Sequence, residues 1–283
     1  MQSASIHELL ERQQKNSEPE DSGDVVFALF LQPHSYPDES FFESVLNFGI
    51  KHFQPSPVMV HVELVVPCNP GSKDHCNFAT YIGSVSDWKT NKRSNSSYYF
   101  GDTAGKWLAV PVFGSHAAKV VRGVCDVSTK VPYSMMRYAS ALYGFRNFAS
   151  MVKDNPRSPA HCATITSRIL KEALGEKTLR HSSAWYGPAS LYGELVDSLR
   201  KRQIRTDGQM VDQEAVEAID TLLQMPDGDV EACSDVKALK AIRALTLKAA
   251  VSAASYDGAA FLLAQKQLAT ALLRWSVLRS PGA

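Results

Sequence analysis

The stretch Ser158-Pro-Ala-His-Cys162-Ala-Thr-Ile-Thr-Ser-Arg-Ile-Leu170 decides how this chain is read. Ser158 has the side chain of a helix N-cap, and Pro159 suits the first helical position. Ile165, Ile169 and Leu170 follow at helical spacing until Gly175. The pattern predicts a helix that starts at this point and carries Cys162 in its first turn. The first N–H groups of a helix have no internal acceptor, and together with the helix dipole they favour negative charge. A thiol at that end is drawn toward the thiolate, which is the nucleophile. Such a cysteine needs a base.

The best base lies upstream, at His61 in Val58-Met-Val-His-Val-Glu-Leu-Val-Val66. This β-branched run is bounded by Pro57 and Pro67 and reads as a strand. Alternate residues share a face, so Val58, Val60, Val62, Leu64 and Val66 form one side, and Met59, His61, Glu63 and Val65 the other. A histidine inside such a run must be hydrogen-bonded or must border a cleft. A rigid strand suits a group that has to hold a thiol proton at a fixed distance.

Composition limits the function classes. A chain of 283 residues with 45% hydrophobic and 21% charged residues is an ordinary globular composition, long enough for one large domain or two small ones. The net charge of +1 gives no electrostatic reason to expect nucleic acid or an anionic membrane surface as partner. No apolar run approaches the ~20 residues that span a bilayer, and the first residues do not read as a signal peptide. The 5 cysteines (Cys68, Cys76, Cys125, Cys162 and Cys233) are odd in number and lack C-x-x-C spacing. That pattern predicts reduced thiols and a cytoplasmic setting, not a disulfide framework or a zinc site.

Along the chain, residues 1–23 form a polar arm with a short apolar patch at Ile6, Leu9 and Leu10. A buried strand is expected over 24–32, a helix over 40–53, the His61 strand, and a return strand over 77–84. Trp107-Leu-Ala-Val-Pro-Val-Phe113 is a further strand, with Pro111 marking an edge or bulge. Helices are expected over 131–152, at Cys162, and over 189–202. Beyond residue 205 the chain turns Ala- and Leu-rich with helical periodicity, broken near Pro226-Asp-Gly228 and Asp257-Gly258. The reading is an α+β domain over 24–204, an antiparallel sheet with a Cys-bearing helix, followed by an all-helical C-terminal extension over 205–283.

The order of these pieces carries a resemblance. In papain the cysteine helix precedes the histidine strand, whereas here the histidine strand comes first. His61-Val-Glu-Leu64, Phe78-Ala-Thr-Tyr81, Trp107-Leu-Ala-Val-Pro111, Val131-Pro-Tyr-Ser134 and His161-Cys162, spanning about residues 58–175, resemble the circularly permuted NlpC/P60-like branch of the papain-fold superfamily. The resemblance implies a permuted papain-like fold, Cys162 as nucleophile and His61 as general base, with no metal and no cofactor. Relatives often place a glutamate or second histidine on the return strand to orient the base. Here that strand offers Asn77, Thr80 and Tyr81 and no acid, so Thr80 or Asn77 is a candidate third member. Glu63, on the face of His61, is another.

The function this implies is a thiol hydrolase acting on a peptide, isopeptide or other amide. A thiol-dependent lipid acyltransferase or esterase is a second enzymatic option. The competing class is a degenerate papain-like module that binds a protein partner or self-associates through its C-terminal helices. Cysteine is among the most buried residue types, and Cys162 shares a helical face with Ile165 and Ile169, so it also fits a plain core position. His161 reads as a cap-region or surface residue, because adjacent helical residues do not face one another.

Overall fold

The computed structural model describes residues 25–33, 57–65, 83–84, 89–90, 105–113, 158–175, 179–201, 213–225 and 235–278, with positions 52, 120, 131 and 134. The expected arm (1–23), the helices over 40–53 and 131–152 apart from positions 52, 131 and 134, and Asn77, Thr80 and Tyr81 lie outside the described residues.

The strands are β1 (Val25–Leu31), β2 (His61–Val65), β3 (Gly83–Ser84), β4 (Lys89–Thr90) and β5 (Trp107–Phe113). The helices are α1 (Cys162–Leu174), α2 (Pro188–Lys201), α3 (Gln213–Gln224), α4 (Asp235–Ala254) and α5 (Gly258–Leu278), with one 3₁₀ turn at Ser183–Trp185. The fold is α+β: β1, β2 and β5 form a three-stranded antiparallel sheet in the order β2-β1-β5, and the rest is mostly helix. Among the described residues no helix is long and apolar enough to cross a membrane.

Register fixes which side chains share a face. Leu31 pairs with His61 and Trp107, Leu29 with Glu63 and Ala109, and Phe27 with Val65 and Pro111. His61, Glu63, Leu29, Leu31 and Trp107 therefore look to one side. Phe30, paired with Val62 and Leu108, looks to the other and meets Tyr192 of α2 edge to face at 5.2 Å. Helices cover both faces, so every residue of β2 and β5 is buried. That is why β1 and β5 read as unbroken apolar runs, whereas β2 alternates, with His61 and Glu63 on one face. Pro111, lacking an N–H, sits on β5, which ends the described sheet.

Two expectations change. Of the expected return strand over 77–84, the described part is β3, Gly83–Ser84, which pairs with β4, Gly83 opposite Thr90, in a two-stranded sheet separate from the main one among the described residues. The helix at 158–170 starts at Cys162, not Pro159. His161 is its N-cap, with extended φ −116° and ψ 176°, and Gly175 ends it at φ 98°, a value that favours glycine.

The C-terminal helices form where the periodicity puts them. Asp257 caps α5, its Oδ1 accepting from the Ala260 N–H at 3.0 Å. Arg274 of α5 donates to the carbonyls of Leu222 and Met225 at the end of α3. These helices do not stand apart, however. α4 and α5 pack against β5, and α4 also against α2. Tyr192 donates to Oε1 of buried Gln265 at 2.8 Å, and Leu268, Leu272 and Trp275 join the same core as Val110 and Leu195. The composition shift near residue 205 marks a change of secondary structure without a break in packing. A chain ended after Lys201 is therefore expected to lose cooperative thermal unfolding by circular dichroism, because it uncovers β5. A truncated chain that melts cooperatively near the full-length Tm would contradict this. The milder Leu272→Ala change, which leaves a void at a residue with 0% exposure, should cost about 3 kcal/mol in denaturant unfolding.

Candidate active site

Cys162 is the first residue of α1, three positions closer to the helix end than a Pro159 start would put it. The approach to it is held from two sides. Arg168, nearly two turns along α1, reaches back to the Ser158 carbonyl at 3.3 Å and to Ser158 Oγ at 2.8 Å. The Ser134 N–H donates to the Ala160 carbonyl at 2.8 Å. Ser158 thus anchors the entry to the helix as an acceptor for Arg168, where sequence had suggested a cap. The first backbone bond of the helix runs from the Ile165 N–H to the His161 carbonyl at 3.0 Å. The N–H groups of Cys162, Ala163 and Thr164 consequently have no acceptor within the helix. No acidic side chain occupies the first turn to use up that positive end.

β2 brings His61 to the same point. Its backbone is fixed by pairing with Leu31, and its ring lies 6.4 Å from that of Trp107 in an edge-on arrangement. α1 packs against β2 and brings the His61 imidazole beside the Cys162 thiol, where each acts on the other's ionisation. His61 Nε2 is 3.3 Å from Oε1 of Glu63, the carboxylate two positions along the same strand face. This is a charge contact first, since its direction falls short of good hydrogen-bond alignment. Sequence thus brings together Cys162, His61 and Glu63. Thr80 and Asn77 lie outside the described residues.

The site also contains a residue that sequence reading set aside. His161 is fully buried, directly before Cys162, and its imidazole is among the groups that bear on the ionisation of the thiol. The rule that neighbouring helical residues diverge does not govern it, because an N-cap residue has extended backbone and lies outside the helical rotation. The available signal was its place directly before the first helical residue.

The electrostatics follow from burial and pairing. Cys162 is 1% exposed and His61 9%. Burial pushes the Cys162 thiol up, but the neighbouring imidazoles, His61 first and then His161, hold it well below the usual thiol range. Burial pushes His61 down, yet the Cys162 charge and hydrogen bond, followed by those of Glu63, hold it well above the usual imidazole range. The two shifts describe one object, a thiolate–imidazolium pair. Two unit charges ~4 Å apart attract by about 4 kcal/mol at an effective dielectric near 20, comparable to the several kcal/mol that stripping each ion of water costs. Either charge alone would be expelled. Among the described residues, no set of three His, Cys, Asp or Glu side chains converges as a metal-ligand group.

In comparisons with family models, curated proteins and solved structures, the chain matches none. What is known of the site comes from its geometry.

That geometry sets an order of effects on His61. Cys162→Ala should lower the His61 titration midpoint, followed by NMR of its ring protons, by more than Glu63→Gln does. The Cys162 charge is the larger of the two raising influences. Glu63→Gln alone should lower it by about one pH unit. A midpoint unmoved by Cys162→Ala would mean that no charge pair exists.

Proposed function

We propose that this chain is a cysteine-dependent hydrolase of amide bonds, a peptidase, isopeptidase or amidase, built on a permuted papain-like fold. One observation supports the reading above others. A buried thiol at the first position of a helix is in contact with an imidazole held on a strand that precedes it in the chain.

The chemistry follows from those parts. The Cys162 thiolate attacks the substrate carbonyl carbon, forming an S–C bond and moving charge onto the oxygen. Unpaired N–H groups at the start of α1 are suitably disposed to receive that oxyanion. His61, already protonated, gives its proton to the leaving nitrogen as the C–N bond breaks, which leaves an acyl-enzyme. Neutral His61 then takes a proton from water, whose oxygen attacks the acyl carbon, and the S–C bond breaks to restore the thiolate and imidazolium. With Nε2 directed at Glu63, Nδ1 is left for the thiol. In this reading Glu63 orients the imidazole, the role for which the return strand had offered Thr80 or Asn77.

A second reading has its own observation. With Cys162 1% exposed, the ion pair could serve as a buried polar clamp between α1 and β2 in a protein-interaction module. Reagent access separates the two. In the hydrolase, iodoacetamide should alkylate Cys162 of the native protein ahead of the other cysteines, as located by peptide mass spectrometry. The reaction forms an S–C bond and expels iodide. It should continue at pH values well below ~8.5, the ordinary thiol pKa, and fade only as pH falls through the depressed Cys162 value. His61→Ala should slow the reaction at neutral pH by about 100-fold. Labelling of Cys162 only after unfolding would favour the clamp and end the hydrolase reading.

A further inference from the structure

Trp107 takes no part in the proposed reaction, yet its indole reaches the imidazole on which that reaction turns. His61 and Trp107 sit on β2 and β5, each paired with Leu31 of β1 between them. Two strand spacings set their backbones ~9.6 Å apart. Their ring centres are 6.4 Å apart, so the two side chains lean toward each other over Leu31. The rings meet edge to face, at an interplanar angle of 75°. Trp107 is 2% exposed, which keeps the contact out of water. An indole face carries partial negative charge, and it attracts a cation within about 6 Å of its centre.

Resting on the hydrolase reading, we propose that Trp107 is a positioning residue: its indole face receives the edge of the His61 imidazolium and holds that ring, in its charged form, beside Cys162. The nearer imidazole atoms then stand inside the range of the indole's attraction, although the ring centres are 6.4 Å apart. The contact strengthens when His61 takes a proton and weakens when it gives the proton up. It therefore favours the state from which attack begins and to which deacylation returns, a thiolate beside an imidazolium. Glu63 acts on the same ring from along the strand, with a carboxylate that could itself hold a proton. Trp107 acts from across the sheet and has no basic atom, so it supports the imidazolium without offering the proton a second place.

Among the described residues, the titratable groups around His61 are these. Glu63 of β2 meets it at 3.3 Å. α1 brings Cys162, with His161 directly before it. β1 and β5 carry no titratable side chain. Further along α1, Arg168 is engaged with Ser158, and Lys171 and Glu172 lie in the last turn. No arginine or lysine among these supplies what the indole is assigned, and Trp107 is the tryptophan in ring contact with His61.

The test reads the His61 titration midpoint by NMR of its ring protons in the full-length chain. Tryptophan is replaced biosynthetically by singly and then multiply fluorinated tryptophan, which nearly keeps the ring's size and drains its face of negative charge. The midpoint should fall as fluorines are added, by about half to one pH unit over the series. Trp107→Phe should lower it as well. Trp107→Leu, which keeps the site apolar without a π face, should lower it further and so place the effect at this position. A role in packing alone would leave the fluorinated series flat. If both substitutions unfold the chain, the fluorinated series decides by itself. A flat series on a midpoint that is raised in the unsubstituted chain would overturn the proposal and leave the hydrolase reading standing. A midpoint that rises with fluorination would mean that the indole edge, not its face, meets the imidazole, and would overturn it too. An ordinary midpoint in the unsubstituted chain would end both the proposal and the charge pair beneath it.

Discussion

A negative sulfur and a positive imidazole can share a water-poor interior only while they are held against each other. That requirement governs the arrangement of the fold around residues 61 and 162. Separated, each charge faces a desolvation cost of several kcal/mol and would neutralise instead. Together they attract strongly enough to invert the usual order, with the thiol below its ordinary range and the imidazole above. The backbone must therefore fix the pair from two independent elements. β2 is locked by its ladder with β1, and the start of α1 is locked by Arg168 and by the Ser134–Ala160 bond.

The remaining packing serves the same end from a distance. The sheet is covered on both faces, so β2 cannot slip: a shift by one residue would turn His61 and Glu63 into the opposite layer and bury Val62 at the thiol. α2 lies against the far side through Tyr192 and Phe30, and Gln265 of α5 ties Tyr192 in place. The C-terminal helices thus bear on the site through the sheet they cover, although among the described residues they bring it no chemical group. This makes their removal a question of fold stability.

Much of this was readable in the sequence. The apolar runs at 25–31 and 107–113 and the alternating, β-branched stretch at 61–65 marked the strands, because short segments of this kind between turn residues have few alternatives. Cys162 and His61 stood out for the same local reason, each being a chemically active residue in a position with a clear backbone preference. Three features were not legible. Ser158-Pro159 has the signature of a helix start, yet Ser158 is bonded to a side chain ten residues on, a contact no local rule foresees. His161 was judged by the geometry of a helix it does not quite belong to. The amphipathic tail announced that its apolar faces must be buried but not against what, and β5 is the partner. Glu63 was legible only as one of several acceptors, because its spacing of two on a strand places it beside His61 without ranking it against other residues.

The account turns on the protonation state of one sulfur. The direct measurement is the ultraviolet thiolate absorbance of the native full-length chain against pH, with Cys162→Ser subtracted. The expected curve shows Cys162 already ionised at neutral pH, with its step well to the acid side of an ordinary thiol near ~8.5. A step at or above that ordinary value would mean that Cys162 is a neutral core cysteine and that the charge pair does not exist.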